Sequence, residues 1–490
     1  MGAMHTDSAL FLGIDVGTGG VRALAVSERG EVVAESAVAF EPAVLAAQDG
    51  RHEQPPEAWW EAVCRACGRL RDGFEAAGIS LDRLAALSVD GTSGTLVALD
   101  GAGRPLRPAL MYNDPRATAE AEQLNAACGD HCSKYGYRFA SSFALAKIAW
   151  LQRHEPTVFH QTARFVHQAD YIVGRLTGAA DVSDYSNALK TGYDLVDECW
   201  PDWIDRRLGV ADRLPRVVAP GTRVGTVSAE GAAATGLPEG LAVVAGATDG
   251  TAACLASGVR RPGDYNTTLG TTLVFKGISR RICRHPKGLV YCHKLPGGLW
   301  LPGAASNTGG EWIAAMFPGE DIEALDAAAS RKLPTRYVAY PLIRRGERFP
   351  FLCQTAERFF VPEPKEPLER YAACLEGVAL VERFAYDVLD EVAGTSGGEV
   401  FSTGGGSRSD VWMQCRADVT GRVLHRPACG ESAFGTAILA AAGSRYEGLA
   451  EAIENMVRIE RTFAPNRAGT EHYDGLYRRF RSELEKRGYA

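Results

Sequence analysis

The stretch "LFLGIDVGTGGVRALAVSERGEVVAESAVAF", Leu10 to Phe40, decides the fold class. An apolar run ends at Asp15, a Gly/Thr turn follows, and "VRALAVS" alternates apolar with small or polar residues. "ERGE" then makes a second turn before "VVAESAVAF", so the stretch predicts three consecutive strands. Downstream, "EAWWEAVCRACGRLRDGF" has helical periodicity and predicts an amphipathic helix over Pro56 to Ala77. The apolar strand "LAALSVDG" and the alternating strand "TLVALD" come next. Hairpins that pass into βα alternation make an α/β sheet layered with helices.

The same punctuation returns late in the chain. "GDYNTTLGTTLVFKGIS" reads strand, Gly-Thr turn, strand, and "GEVFSTGGGSRSDVWMQCRADVTGRVLHRP" adds strand, Gly-rich turn, helix and strand. The two halves read as diverged copies of one unit, joined near Ser257–Pro262. The expected division is residues 8–256 and residues 257–490, the latter ending in a helical tail from about Glu471.

Bulk composition narrows the function classes. At 490 residues the chain exceeds one ordinary core. Its 46% hydrophobic and 23% charged residues are those of a soluble globular protein. The net charge is −7 and no Lys/Arg stripe occurs, which argues against nucleic acid as a partner. No apolar run reaches the ~20 residues a bilayer requires, so no membrane partner is expected. The start lacks a signal-peptide core, and "MGA" before Met4 reads as a cloning remnant. Twelve cysteines scattered through hydrophobic stretches fit free thiols in a cytoplasmic enzyme. Cys64 and Cys67 form a C-x-x-C with no second pair to complete a zinc site.

The chemistry concentrates in four Gly-rich turns and one acid. "DVGTGG" carries Asp15, Gly17 and Thr18, and "LGTT" carries Gly270, Thr271 and Thr272. "SNTGGE" carries Gly309 and Gly310, and "TGGGSRSD" carries Gly404, Gly405, Gly406, Ser407 and Arg408. Small residues let backbone N–H groups close on an anion. Any one of these is an ordinary turn; four in two sheet domains favour phosphate and nucleotide binding. An acid beside a phosphate cradle is repelled unless a cation intervenes, so Asp15 is a candidate for Mg²⁺, directly or through water. "GATDGTAACLASG" sets Asp249 where a buried strand meets a helix. There it is either a helix cap or a base at the strand's C-terminal end, where ligands of α/β sheets gather.

Together these segments resemble the phosphate, catalytic and adenosine segments of the FGGY carbohydrate kinases, from about Leu10 to Gly443. "KIAWLQRH" (Lys147–His154) resembles that family's first signature, with Ala144 where Pro, Ser or Thr is usual. The resemblance implies an α/β protein of two actin/hexokinase-like (ribonuclease H-like) domains around a central cleft, closing on Mg-ATP and a sugar or polyol. Several segments are also similar to D-ribulose kinases, among them "SVDGTSGTLVALD", "ALMYNDPRA" and "SDYSNALKTGYD". In D-xylulose kinases a Met-His pair contacts sugar where Ser93 and Gly94 stand here, and Asp-Asn is usual where this chain has Asp249-Gly250. Cys353-Gln354 replaces a common Asp-Pro.

The resemblance makes Asp249 the base that takes the proton of the sugar hydroxyl, and with Asp15 a site for nucleotide-borne Mg²⁺. Thr18, Thr271 and Thr272 would bind phosphates through backbone and hydroxyl, and Gly404 to Gly406 would let adenosine lie on backbone. Arg408 either stacks on adenine or reaches solvent, and Arg22 either touches phosphate or is an outward strand charge. Asp90, Thr92, Ser93, Asn113 and Asp114 are strand-end polar groups suited to sugar hydroxyls, with Asp90 equally readable as a turn acid. The expected reaction is ATP-dependent phosphorylation of a ketopentose, D-ribulose first, with D-xylulose, other pentuloses and polyols as alternatives. A non-catalytic sensor of the same fold is the alternative from another class. The resemblance is compatible with a homodimer.

Overall fold

The computed structural model describes residues 8–45 and 50–490; the reading of the first three residues falls outside them. The chain separates into two compact units. The first comprises residues up to Ala256, His293–Gly298 and Cys429–Val457; the second comprises Ser257–Cys292, Leu299–Ala428 and Arg458–Ala490.

The first unit is built on six strands. These are β1 (Leu10–Val16), β2 (Gly20–Ser27), β3 (Val32–Ala39), β4 (Leu84–Gly91), β5 (Arg223–Thr226) and β6 (Ala242–Val244), ordered β5-β6-β4-β1-β2-β3. β1 is antiparallel to β2 and parallel to β4, with Asp15 opposite both Arg22 and Asp90. All of β1 except Asp15 is buried, which is why it reads as one apolar run. β3 lies at the sheet edge and is largely exposed, hence its Glu and Ser.

The second unit repeats this topology. Its sheet comprises β7 (Tyr265–Leu269), β8 (Leu273–Gly277), β9 (Tyr291–Leu295, of which residues 293–295 are counted with the first unit), β10 (Leu299–Ser306), β11 (Val400–Thr403), β12 (Leu424–Pro427) and β13 (Ile459–Phe463). The order is β9-β10-β8-β7-β11-β12-β13. β7 pairs antiparallel with β8 and parallel with β11, as β1 does with β2 and β4. The outer pair β12 and β13 is antiparallel, like β6 and β5.

Helices cover the sheets. α1 (Pro56–Ala76) opens on Pro56 at a position where no N–H is needed and buries Trp59, Trp60, Val63, Cys67, Leu70 and Phe74. Burial pushes the thiols of Cys64 and Cys67 up to about 11 and about 12, which opposes nucleophilic or metal chemistry there. α2 (Asp249–Ala256) follows β6 directly. α3 (Ile322–Ala329), α4 (Pro367–Ala393) and α5 (Asp410–Thr420) belong to the second unit, as does the closing helix Arg467–Lys486.

Chain order and packing diverge at α6 (Ser432–Ala442), which lies within residues 257–490 but belongs to the first unit. Small residues explain the placement. A Cβ on Gly13 of β1 would sit 1.9 Å from the Ala433 carbonyl oxygen, and one on Gly435 of α6 would sit 1.8 Å from that of Ala252 in α2. α6 therefore wedges between β1 and α2 at backbone contact distance, a fit that only glycine permits.

Candidate functional site

The site residues expected from sequence fall into two groups, one in each unit. In the first unit, Asp15 and Asp90 end adjacent parallel strands at the same register. Their carboxyls lie against one another, so the charge on one opposes ionisation of the other. Burial raises both above the usual carboxylate range, Asp90 further because it is wholly enclosed and lies against the Asp15 charge. The Thr436 hydroxyl of α6 reaches Asp90 Oδ2. Asp90 is 0% exposed, enclosed beside Asp15 and Thr436.

Asp249 is the first residue of α2 and is half-buried, with Oδ1 accepting the Gly250 N–H at 2.6 Å. Thr248 precedes the helix, bridges to Gly91 at the end of β4, and donates its N–H to Ser186 Oγ at 2.8 Å. Asp249 is thus anchored to the end of the strand that carries Asp90. Its charge acts on both Asp15 and Asp90.

The turn after β1 closes through Gly17 N–H to the Gly20 carbonyl at 3.0 Å. Thr18 and Gly19 are exposed, and nothing in the protein fills the space beside Gly19. Arg22 is exposed beside Asp15 and lowers its proton affinity. The four polar residues expected to face sugar divide into two kinds. Thr92 and Asp114 are buried and engaged: Thr92 with Thr95 at 2.6 Å and Gln168 at 2.7 Å, Asp114 with Arg116 at 2.8 Å and the His52 N–H at 2.9 Å. Ser93 is half-buried, its Oγ without a hydrogen-bond partner, and its carbonyl takes a bond from Lys190 Nζ at 2.9 Å. Asn113 is exposed, 3.3 Å from His52 Nδ1.

In the second unit, three Gly-rich turns converge on one cavity of about 910 Å³. Gly270, Thr271, Gly310, Gly405, Gly406 and Arg408 line it. Thr272, Gly309, Gly404 and Ser407 stand behind and shape those turns. A Cβ on Gly309 would be 2.5 Å from the Thr271 carbonyl oxygen, and Gly404, at φ +87°, would meet the Leu269 carbonyl at 2.6 Å. Ser407 donates to the Gly404 carbonyl at 2.6 Å. The Gly310 N–H bonds the Gly270 carbonyl at 2.8 Å, locking two of the turns together. The cavity wall opposite is apolar and aromatic, with Phe317, Tyr371 and Trp412. Size, glycine-lined polar edge and aromatic wall suit a nucleotide.

Family models match both units. The model of the N-terminal domain of the FGGY family of carbohydrate kinases covers residues 10–256, and that of its C-terminal domain covers residues 266–444. The chain belongs to the FGGY family of carbohydrate kinases. It is 31% identical to the xylulose kinase of Escherichia coli over 452 residues, covering 88% of this chain and 89% of that one. It is 32% identical to the xylulose kinase of Streptomyces rubiginosus over 447 residues, covering 89% and 88%. Among solved structures, that of xylulose kinase from Rhodospirillum rubrum matches with a TM-score of 0.85 at 29% identity, over 97% of this chain and 98% of that one. Two α/β domains of this family and sugar phosphotransfer as the activity follow. No helix among the described residues is long and apolar enough to cross a membrane.

Sequence reasoning missed several residues of this FGGY kinase. Thr436 braces Asp90 from 346 residues away, a separation no local pattern reveals. Glu347 is buried and accepts bonds from Ser306 Oγ at 2.8 Å, Asn307 N–H at 2.6 Å and Thr308 Oγ1 at 2.9 Å, so it holds the turn leading to Gly309 and Gly310. "RRGERF" is a charged loop in sequence, and burial of its one acid is a tertiary event.

Proposed function

We propose that this kinase transfers the γ-phosphoryl group of ATP to the terminal hydroxyl of D-ribulose, giving D-ribulose 5-phosphate and ADP. The observation that carries the chemistry is Asp249, a half-buried carboxylate at the head of α2, fixed through Thr248 to the end of β4. From there it accepts the proton of the attacking hydroxyl as the O–P bond forms. Phosphoryl transfer otherwise asks a protein for positioning and charge neutralisation. Gly270, Thr271, Gly310, Gly405 and Gly406 position the nucleotide, and the N–H groups of the Gly17–Gly20 turn and Arg22 serve the transferred phosphoryl.

Asp15 and Asp249 suit Mg²⁺, which takes one or two carboxylates and keeps several waters. Among the described residues no group of three or more His, Cys, Asp or Glu could hold a metal ion by itself, so the cation would arrive with the nucleotide. Bound there, it would neutralise phosphate charge.

D-ribulose is preferred over D-xylulose because Gly94 cannot carry a side chain. Its φ is +92°, and a Cβ would sit 2.2 Å from the Ser142 carbonyl oxygen and 2.8 Å from Lys190 Cδ. Ser93 and Asn113 are the polar groups left to meet sugar hydroxyls, while Thr92 and Asp114 hold the wall behind them. D-xylulose is the second reading, favoured by the names of the relatives. The twelve free thiols support a reducing compartment such as the cytoplasm. The test is ADP release with D-ribulose, D-xylulose, L-ribulose and ribitol. A kcat/KM for D-ribulose about tenfold or more above the others is expected. A higher value for D-xylulose establishes the second reading, and no sugar-stimulated turnover at all establishes a sensor.

A further inference from the structure

The nucleotide cavity of the second unit contains a charge that phosphate binding does not use. Asp326, on α3, lines the cavity and is only 8% exposed. Its Oδ1 accepts the Tyr371 hydroxyl at 2.8 Å. Among the described residues none donates a hydrogen bond to its Oδ2, which leaves that oxygen as the one offered to the cavity Asp326 lines. Tyr371 is itself immobilised, with ring centroids 5.0 Å from Trp312 and 5.1 Å from Phe317, both edge-to-face. The carboxylate is therefore pinned, one oxygen inward and one toward the ligand.

Electrostatics places the ligand around it. Of the four carboxylates lining the cavity, Glu311 is paired with Arg344 at 3.0 Å, Glu320 and Glu323 are exposed to water, and Asp326 is the buried one. A buried carboxylate without a cation repels phosphates, so the triphosphate lies at the Gly270–Thr271 end and the nucleoside at the Asp326 end. The walls there are Phe317, Tyr371 and Trp412, which pack against a flat heterocycle rather than a ribose. The only N–H donor on the base-pairing edge of adenine is its exocyclic amine. An acceptor-only group set at the C6 substituent therefore bonds that amine and repels the carbonyl a 6-oxo purine has there, whereas the same group set at N1 would bond the N1–H of the 6-oxo base.

We infer that Asp326 is the residue by which the cavity selects a 6-amino purine over a 6-oxo purine. The inference rests on the reading of this cavity as the nucleotide site. It makes the selectivity the property of one oxygen atom whose direction Tyr371 fixes. In Asp326→Asn the Tyr371 hydroxyl still bonds the amide oxygen, so the amide N–H₂ replaces Oδ2 at the cavity. Acceptor becomes donor, and the preference moves toward the 6-oxo base.

The experiment is calorimetric titration of the full-length protein with ADP, IDP and 2′-deoxyADP. ADP is expected to bind about ten- to a hundredfold more tightly than IDP, the worth of a hydrogen bond to a charged acceptor. Asp326→Asn is expected to erase or reverse that ratio and to leave the ratio of ADP to 2′-deoxyADP unchanged. Tyr371→Phe keeps the carboxylate but unpins it, and narrows the ADP-to-IDP ratio without reversing it; it serves also if the Asn variant does not fold. Ratios unchanged to within about twofold in both variants overturn the inference, as does a shift in the 2′-deoxy ratio, which would give Asp326 to the ribose. Ala314→Trp, which fills the cavity, separates the two levels. If it leaves ADP affinity intact, the nucleotide reading falls with the inference; if it abolishes binding while the Asp326→Asn ratio stays fixed, the inference alone falls.

Discussion

Asp90 and Gly94 lie four residues apart on one short segment and do opposite things. Asp90 is enclosed and is reached by Thr436, whereas Gly94 adopts a backbone conformation that excludes a side chain. Gly94→Ala puts a Cβ against the Ser142 carbonyl and forces a positive φ on an L-residue. It is expected to lower stability by about 2 kcal/mol or more and to raise the KM for sugar, measured by urea unfolding and by steady-state rates. Unchanged values for both would show that the segment relaxes freely. The spacing "SVDGTSGT" was enough to place Asp90, Thr92 and Ser93 at a strand end. Spacing could not show that Thr92 and Asp90 point into the protein, because side-chain direction past a strand end depends on what packs there, here Gln168 and α6.

Among elements, a buried ion pair joins α4 and α5 in the second unit. Arg416 of α5 bonds both oxygens of Glu382 in α4, at 2.6 and 2.7 Å, and Ser402 of β11 at 2.6 Å; both charged side chains are 0% exposed. Arg416→Met strands Glu382 and is expected to cost about 3–5 kcal/mol, while the double variant Arg416→Met/Glu382→Leu should cost much less. Chemical denaturation of the three proteins decides it, and equal losses would contradict the pairing. A second element-scale prediction concerns pH. His131 sits among Tyr135, Tyr137, Phe139 and Trp203, and burial lowers its pKa to about 4, only partly opposed by Asp194 and reinforced by Lys134. The unfolded chain protonates near its ordinary value of about 6.5 while the fold does not, so stability is full above that pH and falls as pH drops toward 4. The loss reaches about 3 kcal/mol. His131→Phe is expected to flatten this part of the stability–pH curve, and an unchanged slope would assign it elsewhere. The strands β1, β2, β3 and β4 were legible from sequence almost to the residue, since each is one apolar or alternating run bounded by turn residues. α6 lies within the stretch 257–490 expected to form the second domain; what carries it into the first unit is backbone contact at Gly13 and Gly435, which composition does not encode.

At the scale of the whole molecule, one strand topology occurs twice, and the two Gly-Thr hairpins that suggested a duplication occupy equivalent places in the two sheets. The acids of the candidate site lie on one unit and the glycine-lined cavity on the other. On the proposed reading, a nucleotide held by the second unit must reach a hydroxyl held by the first. Small-angle scattering is therefore expected to show compaction when D-ribulose and a non-hydrolysable ATP analogue bind together, and less with either alone. No change with both would contradict a closing mechanism.

Removal of the sugar hydroxyl's proton by Asp249 is open to measurement in single-turnover phosphorylation by Asp249→Asn at saturating ATP and pentulose. The expected rate is lower by about 10²–10⁴ with ATP affinity essentially unchanged. A rate within about tenfold of the wild type would contradict it.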